Sequence, residues 1–138
     1  MDAVRIFKTA AAFLLVTIFL ILLASAYSRH RETIRACGLV EASSSITNRL
    51  VLQELSAGRS YTVDPGRIGT LPCRISIGGD NFLYSVRLTF RRGGERVTVS
   101  HGPETPEFRP VSSLSVPVSV LDGFRLEAGL LEVIVWRE

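Results

Sequence analysis

Hydrophobic and polar positions follow three different rhythms along this chain. Residues 9–28, TAAAFLLVTIFLILLASAYS, are 20 consecutive positions without a charge. From residue 29 the pattern becomes mixed: Ile34, Leu39, Ala42, Ile46, Leu50 and Leu55 recur at spacings of three to five, with Arg31, Glu32, Arg35, Glu41, Arg49 and Glu54 between them. That spacing predicts an amphipathic helix. No proline interrupts it, so it continues directly from the apolar stretch, and Gly58 stands just past the last apolar residue as a natural terminator. Gly38 and the run Ser43-Ser44-Ser45 are the weak points of this helix.

From residue 60 the rhythm drops to two. SYTV is a short strand candidate closed by Asp64-Pro65-Gly66, and CRISI is a second, closed by Gly78-Gly79. FLYSVRLTFRR carries the clearest alternation: Phe82, Tyr84, Val86, Leu88 and Phe90 share one face, while Leu83, Ser85, Arg87, Thr89 and Arg91 share the other. Gly93-Gly94 predicts a tight hairpin into ERVTVSH. After a proline-containing loop, VSSLSVPVSVL alternates again, with Pro117 placing it at a sheet edge. DGFRLEAG reads as a connection, and LLEVIVWR as a last strand with apolar residues on both faces. An antiparallel sheet of about four to six strands with one apolar face needs a cover, and the amphipathic helix is the available one. The expected fold is α+β: tail 1–8, transmembrane helix 9–28, amphipathic helix 29–57, and a sheet domain 58–138 packed on that helix.

At 1.5 Å per residue the uncharged stretch makes a helix of about 30 Å, one bilayer core. Ala24-Ser25-Ala26 has the small-residue spacing that a signal peptidase cuts, so Ala24 and Ala26 form a candidate cleavage site before Tyr27. Cutting there severs the long helix; retention keeps it whole and is the reading favoured here. Arg5 and Lys8 on one side nearly balance Arg29, Arg31 and Arg35 on the other. The export-type context places the sheet domain outside the cytoplasm.

Composition adds little chemistry. The formal net charge of +3 rests almost wholly on arginine, with Lys8 the single lysine. The arginines are scattered, which argues against nucleic acid as a partner. Arg87, Arg91 and Arg92 offer an anionic partner a contact, though strand alternation alone already accounts for them. Cys37 and Cys73 are candidates for a disulfide if the domain lies outside the cytoplasm; two free thiols are the alternative. His30 and His101 are the only histidines and stand far from any ligand cluster in sequence. No G-x-S-x-G elbow or phosphate-binding glycine loop is present, and Glu104 and Glu107 lie in an irregular loop. The sequence therefore predicts no catalytic residue, no metal, no cofactor and no small-molecule substrate. The loop containing His101, Glu104, Glu107, Phe108 and Arg109 is the candidate partner contact, because binding residues concentrate on loops.

The apolar helix, the amphipathic stretch SITNRLVLQEL, the segment YTVDPGRIGTLPC and the closing GLLEVIVWR together resemble type IV pilins and small archaeal pilin-like membrane proteins. The resemblance implies a long N-terminal helix, apolar first, capped by a β-sheet domain. It further implies a non-enzymatic envelope protein, a subunit or accessory component of a surface filament or envelope complex. Membrane lipid, other membrane helices and further copies of the chain would be its partners. The pilin pattern places Gly or Ala after a basic residue and a glutamate early in the helix. Here Lys8 is followed by Thr9, and residues 9–28 hold no glutamate. The competing expectation is a binding module, tethered or released after Ala26, that recognises a partner outside the cytoplasm.

Retention makes a direct prediction. After carbonate washing of cell membranes, the protein stays in the pellet, and its N-terminus does not begin at Tyr27. A soluble pool beginning at Tyr27 is the contrary result.

Overall fold

The structure is a computed structural model that describes residues 2–138. One helix, α1 (Asp2–Arg49), is followed by a π-helical turn (Leu50–Glu54). Six strands follow: β1 (Thr62–Val63), β2 (Arg74–Ile77), β3 (Asp80–Arg92), β4 (Glu95–His101), β5 (Val111–Asp122) and β6 (Arg125–Arg137). A 3-10 turn, Pro65–Thr70, lies between β1 and β2. The chain divides into two compact units, one ending at Cys37 and one beginning at Gly38.

In the first unit every described residue is exposed. This part of α1 is long and apolar enough to cross a membrane. Its threonines fit that role: Thr17 Oγ1 donates to the Phe13 carbonyl at 2.8 Å, so this hydroxyl amid the aliphatic side chains is satisfied within the helix. Thr9 and Thr33 bond back to the Arg5 and Arg29 carbonyls in the same way.

In the second unit the rest of α1 covers the sheet. Leu39, Ala42, Ser43, Ile46, Thr47 and Leu50 are buried, while Val40, Glu41, Ser44, Ser45, Asn48 and Arg49 are exposed. At Gly38 a Cβ would come within 3.0 Å of the Arg137 guanidinium. Ser43 is buried because its hydroxyl meets Ser112 Oγ of β5 at 3.0 Å, and Thr47 bonds the Ser43 carbonyl at 2.7 Å. The π-helical turn widens the last coil, with the Leu55 N–H reaching the Leu50 carbonyl at 2.8 Å. This lets Leu50, Val51 and Leu55 all face the core.

The sheet order is β1-β5-β6-β3-β2, with β4 also paired to β3. Phe82–Phe90 of β3 lie along β6, and β2 and β4 occupy the opposite edge of β3 at its two ends. Phe82, Tyr84, Val86, Leu88 and Phe90 are buried on the inner face as the alternation predicts, together with Val118, Val120, Leu131, Val133 and Val135. The 3-10 turn packs on β4 and β5 and inserts Ile68, fully buried, beside them.

Three expectations need correction. The sheet is mixed: β1 runs parallel to β5, Thr62 beside Ser119. The cause is the return of the chain after the helix, where the Ser56–Val63 bridge and the Asp64 N–H to Leu55 carbonyl bond hold β1 beside β5. The segment expected as a connection before the last strand is a hairpin, with Gly123 (φ 65°) and Phe124 joining Asp122 to Arg125, so β6 begins earlier. Burial of β6 on both faces holds only at its end: Trp136 is buried, but Leu130 is 47% exposed, since the helix covers the inner face alone.

Leu50 is buried where the helix meets the sheet, in the company of Ile46, Ile75 and Tyr84. Leu50→Ala is expected to cost about 2–5 kcal/mol. The measurement is the denaturant midpoint of the protein in mild detergent, and an unchanged midpoint would show that the helix is not the cover.

Candidate functional site

The residues singled out in the sequence do not converge on one site. Ala24 and Ala26 lie inside the exposed part of α1 as continuous helix. Cys37 is exposed and Cys73 is buried, and both are free thiols. Cys73 sits at φ 57°, an unusual conformation for a residue with a side chain. Its carbonyl receives the Tyr84 N–H at 3.1 Å, which extends the β2–β3 pairing by one bond and holds the kink. Burial pushes the Cys73 thiol up from its ordinary pKa, the direction that disfavours the reactive thiolate.

The loop between β4 and β5 is held at its root. Gly102 takes φ 120°, and a Cβ there would fall 2.9 Å from Ser85 Cα and from the Tyr84 carbonyl oxygen. Only glycine lets the chain lie this close to β3. His101 is half-buried, and its Nε2–H donates to the Leu71 carbonyl at 3.1 Å. It ties the end of β4 to the segment after the 3-10 turn. Glu104, Glu107 and Arg109 are exposed, and Phe108 is 96% exposed. Gly102, Pro103, Glu104 and Thr105 border a depression of about 310 Å³ with Ser85, Arg87 and Ile134. Among the described residues, no three His, Cys, Asp or Glu side chains gather where they could hold a metal ion.

The arginines considered as an anion contact are mostly engaged. Arg87 pairs with Glu132 at 3.5 Å. Arg92 grips Asp122 with two hydrogen bonds of 2.7 and 3.0 Å and lies 5.5 Å from the Phe90 ring centre. Arg91 stands directly opposite Arg96 in the β3–β4 ladder, and neither has a carboxylate partner among the described residues. No sequence signal marked the Arg92–Asp122 clamp, since its partners are 30 residues apart.

The arrangement resembles a sheet fastened by side chains more than a pocket that holds a ligand. Comparison with protein-family models, with curated proteins and with solved structures gave no match in any of the three. The architecture, a long N-terminal helix whose second part packs on a sheet, is compatible with the pilin-like plan.

The Arg92–Asp122 clamp carries a pH prediction. Hydrogen bonds from Arg92 hold the Asp122 carboxyl below the usual carboxylate range. A depressed folded-state pKa contributes stability above the unfolded value and loses it as pH falls through the depressed value. The wild type should therefore be more stable than Asp122→Asn at neutral pH, and the gap should close in acid. Thermal melts of both proteins at neutral and acid pH measure it; a gap that does not depend on pH would contradict the assignment.

Proposed function

We propose that the protein is a non-catalytic, membrane-anchored envelope protein of pilin-like plan, whose apolar helix packs against other membrane helices while its sheet domain lies outside the cytoplasm. The observation that carries this reading is α1 itself: an exposed, uncharged, apolar stretch that continues into the helix covering the sheet. A helix built this way joins anchor and core in one element. Charged groups within a membrane span mark ion paths and proton relays, and residues 9–28 hold none. Ala10, Ala11, Ala12, Ala24 and Ala26 are small residues of the kind that allow helices to approach closely. A second reading, a tethered binding module, draws support from Phe108, almost wholly exposed on the β4–β5 loop.

The test exchanges residues 9–28 for a polyleucine span of equal length and crosslinks the protein in its membrane. Multimers should fall severalfold. Multimers that persist unchanged would reduce the span to a tether and remove the support for helix packing.

A further inference from the structure

We propose that the open edge of β5, residues 111–117, is an interaction surface that pairs antiparallel with the same edge of a second copy of this chain. The inference goes beyond the reading above and does not use the apolar helix.

β5 bonds to β6 along its whole length, one residue to one residue, without a bulge. On its other side it meets β1 only at Ser119 and Val120. The Ser119 N–H donates outward, to the Tyr61 carbonyl at 2.8 Å. Backbone groups alternate sides along a strand. The outward set is therefore Ser119, Pro117, Ser115, Ser113 and Val111. Proline has no N–H to lose there, which is why Pro117 fits. The donors of Val111, Ser113 and Ser115 face the open edge, and no hydrogen bond among the described residues uses them.

Core packing shows the same gap. Where β1 lies alongside, Val118 and Val120 of the inner face are 6% and 0% exposed. Further along the same face, Leu114 and Val116 are only half-buried. A strand added beside residues 111–115 would extend the cover that β1 provides at the other end.

Open edges are normally guarded by charged side chains, bulges or proline. No charged residue occurs from Val111 to Leu121, and Pro117 blocks only the end of the run. On the opposite side of the sheet, β4 begins with Glu95 and Arg96 and β2 with Arg74. An uncharged edge offers a charged peptide no complementarity. It does complement itself: with Ser113 opposite Ser113 of the second copy, Val111 falls opposite Ser115 on both sides. Every open donor then meets a carbonyl, about six bonds in all, and Pro117 is not needed. Such a contact is isologous and closes as a dimer.

The full chain in mild detergent should sediment as a dimer. Ser113→Pro removes one outward donor and leaves the backbone ladder to β6 in place; it also loses the exposed hydrogen bond from the Ser113 hydroxyl to Glu132 at 3.1 Å, so the melt should fall only slightly while the dimer weakens at least about tenfold. Should that variant fail to fold, Ser113→Lys and Ser113→Glu decide: each alone places like charges opposite each other and should be monomeric, and a mixture should recover the dimer. Monomeric wild type overturns the proposal, as does a dimer that survives Ser113→Lys. Open-ended multimers, expected for β5 pairing with β4, or a mixture that fails to recover the dimer, overturn it as well. The polyleucine exchange separates the two ideas: it should leave this dimer intact, and a dimer lost there but kept in the Ser113 variants belongs to the helix.

Discussion

The structure depends on covering one apolar sheet face with a helix that is also the continuation of an apolar span. The inner face carries Tyr84, Val86 and Leu88 from β3 and Leu131, Val133 and Val135 from β6, all buried. Side chains of this size contribute about 1.5–3 kcal/mol each when removed from water, so the face cannot stay open. Leu39, Ile46 and Leu50 meet it, and polar positions inside that contact are admitted only with partners, as the Ser43–Ser112 hydroxyl pair shows. The π-helical turn follows from the same demand. A regular helix would turn Leu55 away after Leu50 and Val51, whereas the wider coil brings all three onto the sheet.

The other end of the face is closed by different means. Ile68 of the 3-10 turn fills it between β4 and β5. There β3 and β5 also approach each other across β6, because Gly129 has no side chain: a Cβ would stand 2.6 Å from Val120 Cγ2 and 3.1 Å from the Thr89 carbonyl oxygen. Just beyond, Arg92 of β3 and Asp122 of β5 join over the same strand. Glycine inside a strand weakens it locally, and here it admits the closer approach that the clamp then fastens.

The helical and the alternating rhythms of the sequence made the helix, the long strands and the inner-face residues legible, because periodicity records which side is buried. Phe82 to Phe90 followed it without exception. What escaped was whatever depends on partners distant in sequence. The parallel β1–β5 pairing joins residues 57 apart, and no local pattern announces it. The β5–β6 hairpin was hidden because Phe124 and Leu126 at its tip look like strand or core residues, yet both are exposed. His101 looked like a loop residue because its acceptor, Leu71, is 30 positions away. The candidate contact loop was legible as a loop, but the Gly102 contact that pins its start to β3 was not.

Charge follows the same logic. Arg74 pairs with Glu138, Arg87 with Glu132, Arg137 with Asp80 and Arg92 with Asp122, each link spanning separate elements. Exposed pairs of this kind add little stability one at a time. Their effect is to neutralise these four arginines locally, while Arg91 and Arg96 face each other without a carboxylate partner among the described residues. Distinctive surface then remains in three places: the apolar span of α1, the exposed rings of Phe108 and Phe124, and the uncharged edge of β5. Each offers apolar contact or backbone hydrogen bonds rather than a charge or a nucleophile. Arg74, Arg87, Arg92 and Arg137 thus fasten strands of the sheet domain, while the side of the apolar span and part of the β5 edge are left open.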